Sequence, residues 1–204
     1  MKHKYISSAL LSVGLLLGAT ASHATHTVYF GEDLGLGEGT RLASTPNADA
    51  ARASFFSNLS GVGTEDFESF STGTGAPLAI AFPGAGTATL QGNGEIDTVV
   101  SGTNGFGRYP ISGVNYWEVA STIGGFTIDF NFDVAAFGFY GIDVGDFQGV
   151  LTATLSNGVN ETYNIGHTVG APGGSVLYWG IIDTENTFTS LAFGNTGSGA
   201  DVFG

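Results

Sequence analysis

Phe126-Thr-Ile-Asp-Phe-Asn-Phe-Asp-Val134 decides the fold class of this chain. Phe126, Ile128, Phe130, Phe132 and Val134 fall on one side of an extended backbone, and Thr127, Asp129, Asn131 and Asp133 on the other. A period of two is the pattern of a strand with one face in a core and one in solvent.

Working outward, run 136–144 is apolar on both faces and reads as a central strand. Runs 150–155 and 159–165 flank Asn157-Gly158, whose residues tolerate positive φ and predict a type I′ hairpin. Run 176–182 is apolar throughout; Tyr178 and Trp179 are adjacent and must face opposite sides of their strand. Run 188–193 is the last complete strand. Upstream, 27–30, 65–70, 78–82, 87–90, 95–100 and 116–119 predict shorter strands. One helix is expected near residues 46–59, where Thr45-Pro46-Asn47-Ala48-Asp49 supplies cap-forming residues and Phe55 and Leu59 share a face. It is expected to lie as a lid over one end of the sheets. These elements give an all-β chain: a two-sheet antiparallel β-sandwich, jelly-roll-like, with one short helix. No repeat period supports a propeller or a solenoid.

The chain has 204 residues, and its 34 glycines are spread between the apolar runs as turn residues rather than gathered in a linker. Lys2 and Lys4, an apolar run over 6–17 and the small residues ending in Ser22-His23-Ala24 form a secretory signal cleaved after Ala24. The run is shorter than the roughly 20 residues a membrane helix needs. Residues 25–204 then form a single sandwich domain, secreted to the extracellular space or cell surface. Beyond the signal, Arg41, Arg52 and Arg108 stand against all 18 acidic residues, a formal charge of −15. Such a surface repels nucleic acid and anionic lipid and favours divalent cations or neutral partners. With no cysteine, thiol chemistry and zinc–thiolate sites are excluded.

Two acidic groups predict one structural Ca²⁺ site: Glu65, Asp66 and Glu68 on an early strand, and Asp143 and Asp146 where the central strand turns through Gly145. Asp129, Asn131 and Asp133 match the start of an EF-hand loop, but Val134 stands where its glycine belongs, and a polar strand face is the better reading. Gly92-Asn-Gly94-Glu-Ile-Asp97 reads as a hairpin turn rather than as one unit of a calcium β-roll. A candidate ligand-binding set comprises Phe106, Arg108, Tyr109, Tyr116 and Trp117 around the glycine-rich loop 105–113, where aromatic rings stack on sugars. Catalysis lacks a signature. His26 and His167 form no triad or metal spacing, no G-x-S-x-G elbow exists, and glycine pairs such as Gly35 and Gly37 lack a dinucleotide-binding setting.

Several segments carry a family resemblance: Thr27-Val-Tyr-Phe-Gly-Glu-Asp-Leu-Gly35, Thr40-Arg-Leu-Ala-Ser-Thr-Pro-Asn-Ala-Asp-Ala-Ala-Arg-Ala-Ser-Phe-Phe56, Gly63-Thr-Glu-Asp-Phe-Glu68, Phe137-Gly-Phe-Tyr-Gly-Ile-Asp-Val-Gly-Asp-Phe147 and the tail from Leu191-Ala-Phe-Gly194. Together they resemble PEP-CTERM proteins over nearly all of residues 25–204. The resemblance implies export by a polysaccharide-producing Gram-negative bacterium, association with matrix, floc or biofilm, and sorting by an exosortase. It implies no catalytic residue. Proteins of this kind continue past an ending like Gly199-Ala-Asp-Val-Phe-Gly204 into a further strand, a Pro-Glu-Pro motif, an apolar helix and a basic tail. The chain stops at Gly204, so truncation at the C-terminal end is expected, and exosortase is a partner only if that tail exists. In the resemblance, the further strand is also where an additional acid for the ion site near Glu68 is expected.

The leading functional expectation is a non-enzymatic extracellular or surface matrix protein that binds polysaccharide and holds calcium. The alternatives are a self-associating structural protein without a small ligand, and a glycan-active hydrolase using two carboxylates among Glu65, Glu68 and Glu118.

Overall fold

A computed structural model of the chain describes residues 26–120, 126–145, 149–197 and 202–204. The segment 1–24, expected to be a secretory signal, lies outside the described residues. The fold is an antiparallel β-sandwich. One sheet has six strands in the order β2 (Leu78–Phe82), β3 (Gly86–Gly92), β6 (Phe126–Val134), β11 (Phe188–Asn195), β8 (Leu151–Ser156), β9 (Asn160–Asn164). The other is built from two three-stranded pieces: β1 (His26–Asp33), β10 (Val176–Asp183), β7 (Ala136–Ile142), and β12 (Val202–Phe203), β5 (Asn115–Ala120), β4 (Glu95–Thr98). Gly204 joins the pieces, since its N–H and C=O both bond to Ile142 of β7. Of the run 136–144, residues 136–142 form the strand β7, which has β10 on one side and Gly204 against its last residue on the other, while 143–145 turn away. The last long strands wrap between earlier ones, β11 between β6 and β8 and β10 between β1 and β7, which is jelly-roll-like winding.

The alternation in β6 is realised as predicted: Phe126, Ile128 and Val134 are buried, while Asp129, Asn131 and Asp133 are exposed. The main core lies between the sheets, where Phe139 meets Phe193 edge-on at 5.4 Å and Phe137 meets Phe130 at 6.2 Å. The apolar run of β10 has a different explanation from a simple sandwich strand. Leu177, Trp179 and Ile181 enter that core, while Val176 and Tyr178 enter a second core beneath the helix α1 (Pro46–Phe56). Tyr178 and Trp179 are therefore both buried, on opposite faces. Rather than closing one end, α1 lies on the outer face of β1 and β10, with Phe55 packed on Tyr29 and Tyr178. Gly180 makes room for the Phe55 ring, whose Cδ2 would lie 2.8 Å from a Cβ there.

Three local expectations are corrected. Segment 65–70 is a turn, not a strand: Phe67 takes φ +63°, and the Glu65 carboxylate accepts from the Phe67 amide at 2.6 Å. The Asn157-Gly158 hairpin does join β8 to β9, but Ser156 pairs with Asn160. The loop thus includes Val159 and only Gly158 takes a positive φ, so it is not a two-residue type I′ turn. Gly92–Asp97 makes no hairpin either, because β3 and β4 belong to different sheets and the chain crosses between them. Gly94 is small because the Trp117 indole lies over it, 2.3 Å from where a Cβ would stand.

Candidate functional site

The residues singled out by sequence fall into three places. The first is the turn 65–70. Asp66 Oδ1 accepts from the Glu68 amide at 3.1 Å, and Glu68 Oε1 accepts from the Val114 and Asn115 amides at 2.8 and 2.7 Å. Asn115 returns the contact, its side-chain amide donating to the Phe70 carbonyl. Each of these acids thus serves the backbone of its own loop or of β5.

Asp143 stands elsewhere. It ends β7 with φ +66° and is buried, with Oδ1 accepting from the Gly174 amide at 3.0 Å and Oδ2 3.6 Å from Arg108 Nη1. Gly107 is required beside it, since a Cβ there would lie 2.5 Å from Asp143 Oδ1. Asp146 lies outside the described residues. Among the described residues, no group of three or more His, Asp or Glu is placed to hold a metal ion. Glu65, Asp66 and Glu68 contact main chain, and Asp143 joins a polar network around Arg108 instead.

That network is the third place, and sequence reasoning gave only part of it. Arg108 is buried; its Nε lies 2.8 Å from Glu118 Oε1, and its Nη1 donates to the Val202 carbonyl at 3.0 Å. On the same outer face of β4 and β5, the Tyr116 hydroxyl donates to Asp97 Oδ2 at 2.7 Å. Burial pushes the Glu118 carboxyl above the usual carboxylate range; Arg108 opposes this and the neighbouring Asp97 adds to it. Burial, with the Asp97 hydrogen bond, raises Tyr116 likewise. Asp97 and Glu118 escaped notice as a pair because only the pairing of β4 with β5 brings them together.

The aromatic set divides by burial. Tyr109, Tyr116 and Trp117 are core residues, so the expected exposed platform of four rings is not formed. Tyr109 is held by its hydroxyl, which donates to Gly174 O and accepts from Leu42 N. Trp117 faces the sandwich interior against Phe126. Phe106 alone of the set is open, 62 % exposed, with the Arg108 guanidinium 5.5 Å from its ring centre. Beside it, residues 97–105 bound a shallow hollow of about 690 Å³ that includes Asp97, Thr98, Ser101, Thr103 and Asn104. The loop is pinned from within: Asn104 Oδ1 accepts from the Phe106 and Arg108 amides, and the Glu38 carbonyl accepts from Gly107 N and Thr103 Oγ1. The arrangement offers one ring face beside hydroxyl, amide and carboxylate groups on a braced loop. No helix among the described residues is long and apolar enough to cross a membrane.

No protein-family model, curated protein or solved structure matches this chain.

Proposed function

We propose that this chain is a non-enzymatic extracellular or cell-surface module that contacts polysaccharide through the hollow at 97–105 and the Phe106 ring. The observation that carries the reading is the position of Phe106: an exposed ring, with a guanidinium 5.5 Å from its centre, directly following Gly105 at the end of a shallow hollow whose lining mixes Asp97, Thr98, Ser101, Thr103 and Asn104 with Val99 and Val100. Sugar recognition draws on that combination, an apolar ring face for the C–H surface of a pyranose and convergent polar groups for its hydroxyls. The secretory signal and the resemblance to PEP-CTERM proteins support an extracellular, matrix-associated setting. The acidic surface favours neutral glycans over anionic ones.

Binding is the reading proposed, with hydrolysis as its alternative; the two neighbouring carboxylates both serve the fold. Glu118 is paired with Arg108, and Asp97 accepts from Tyr116. Product release from a polysaccharide by the unaltered protein, abolished in Glu118→Gln, would assign hydrolysis instead.

The test is a titration against neutral and acidic polysaccharides, comparing the unaltered protein with Phe106→Ala. The expected outcome is binding that weakens at least about tenfold in the variant, as loss of a stacking ring would give, with the unfolding midpoint unchanged. Absence of binding to every polysaccharide, or equal binding by the variant, would remove the reading.

A further inference from the structure

We propose that β1 is the seam of a two-fold dimer, in which a second copy of this chain adds its own β1 antiparallel to the first, with Tyr29 on the axis. The strand ends its sheet: among the described residues its strand partner is β10, on one side. The ladder shows which of its main-chain groups are free. Asp183 N–H donates to the Ala135 carbonyl, and the Ser175 carbonyl accepts from Asp143, so odd-numbered residues along β10 turn toward β7. The even-numbered ones bond to β1, where their partners are Thr27, Tyr29, Gly31 and Asp33. His26, Val28, Phe30 and Glu32 therefore direct their N–H and C=O groups outward. Asn47 Nδ2 meets the Glu32 carbonyl at 3.1 Å, which closes that end of the free edge.

Natural sheets blunt such edges with Lys, Pro or a bulge. His26–Asp33 has none of these, and it exposes Val28 and Phe30 by 42 % and 38 %. Its sequence is also self-complementary. A two-fold axis through Tyr29, perpendicular to the sheet, keeps each face with itself. It sets Val28 opposite Phe30 of the second copy, Thr27 opposite Gly31, and the imidazole of His26 opposite the carboxylate of Glu32. Val28 and Phe30 then form the hydrogen-bonded pair, each exchanging both main-chain bonds with its counterpart, and Tyr29 meets Tyr29 as the non-bonded pair. Apolar thus lies on apolar at the centre of the seam; at its ends the Glu32 carboxylate already accepts from Thr168 N and Oγ1 and the His26 ring packs on Tyr163, so the apolar pair carries the match. Beside the edge, β1 and the short side chains of α1 at Asn47, Ala50 and Ser54 bound an open groove of about 700 Å³, with room for an added strand. Strand addition to a free edge next to a helix groove is a general mode of recognition. The proposal shares no residue with the hollow at 97–105 and stands or falls apart from carbohydrate binding.

The high negative charge opposes self-association, so salt is expected to strengthen it. Sedimentation equilibrium of the purified protein is expected to show a monomer–dimer equilibrium that tightens as sodium chloride rises from about 0.05 to 0.5 M. V28K, which puts a charge in the seam, is expected to weaken the dimer at least about tenfold. Amide exchange in the unaltered chain is expected to slow with protein concentration at Val28 and Phe30, and to stay constant at Tyr29 and Gly31. With no native cysteine, V28C mixed with F30C is expected to form a mixed disulfide under mild oxidation, while neither variant links to itself. A strict monomer at about 1 mM protein and high salt would overturn the proposal, by mass action. So would exchange at Val28 and Phe30 that ignores concentration, or V28C linking to itself, which moves the axis off Tyr29. Exchange on the unaltered chain decides the matter even where a substitution impairs folding.

Discussion

The Asp33 carboxylate caps α1 from outside the helix: Oδ2 accepts from the Ala48 amide at 2.9 Å although 15 residues separate the two. The same carboxylate accepts from the Asn47 amide and side chain. The Thr45 side chain, at the position sequence assigns to the cap, makes no capping bond. A carboxylate at a helix N-terminus satisfies orphan amides and meets the positive end of the helix dipole.

Replacing Asp33 with Ala is therefore expected to cost about 1–2 kcal/mol, the range of a lost N-cap. Thr45→Val, which removes only the hydroxyl, is expected to stay within about 0.5 kcal/mol. Urea unfolding of the two variants checks both numbers. Equal losses would show that the capping role belongs to Thr45 after all.

Arg108 supports a second prediction. It ties β5, through Glu118, to β12, through the Val202 carbonyl, and it faces the buried Asp143. Truncation leaves the buried Asp143 and the partly buried Glu118 without their cation, and removing the partner of a buried charge costs about 3–5 kcal/mol. Arg108→Ala is expected to lose stability on that scale. Because Arg108 is one tie between β12 and the loop before β5, limited proteolysis is expected to cut near the C-terminal strand before the rest of the sandwich.

The fold class was legible because its signals are local. Period two in β6, the two-sided apolar run of β10 and the turn at Gly158 each lie within about ten residues, the range over which periodicity works. The site was less legible because it depends on which strands become neighbours. Tyr109 lies in the glycine-rich loop 105–113, and Tyr116 and Trp117 in the short strand after it, a set read as exposed rings, yet the Tyr109 hydroxyl bonds to Gly174, 65 residues on, and the Trp117 indole packs on Phe126 of the facing sheet. The acids at 65–68 alternate as in a strand, but a positive φ at Phe67 turns them onto main-chain amides. Neither the helix cap at Asp33 nor the Asp97–Glu118 neighbourhood has a signal at fixed spacing.

Glu68 separates a structural from a metal-binding role. Its carboxylate accepts two amides at the entry to β5. On an exposed loop, losing charged hydrogen bonds of this kind costs about 1–2 kcal/mol, and Gln, whose one carbonyl oxygen can stand where Oε1 does and accept both amides, should lose only the charge assistance, roughly half of that. The expected outcome is that Glu68→Ala lowers the unfolding midpoint equally in excess EDTA and in millimolar calcium. A calcium-dependent rise in the unaltered protein that disappears in Glu68→Ala would instead make Glu68 a ligand, since selective binding to the native state must stabilise it.

His167 gives the pH dependence. It is buried, and Nε2 accepts from the Leu151 amide at 2.9 Å, so that nitrogen must carry no proton. Burial pushes the imidazole below its ordinary 6.5, with the Thr168 backbone and Glu32 opposing in part. Below about pH 6.5 the unfolded chain takes up a proton that the native state resists, so stability falls with decreasing pH until the folded value is reached. The slope is at most about 1.4 kcal/mol per pH unit for one group. Unfolding midpoints between about pH 5 and 7, above the range where most carboxylates titrate, should show this slope in the unaltered protein and lose most of it in His167→Gln. Because the Leu151 amide at the start of β8 donates to that nitrogen, its protection from exchange, taken relative to the intrinsic rate at each pH, should be among the first in the strand to fall in acid. A slope that survives His167→Gln would assign the pH dependence to another group.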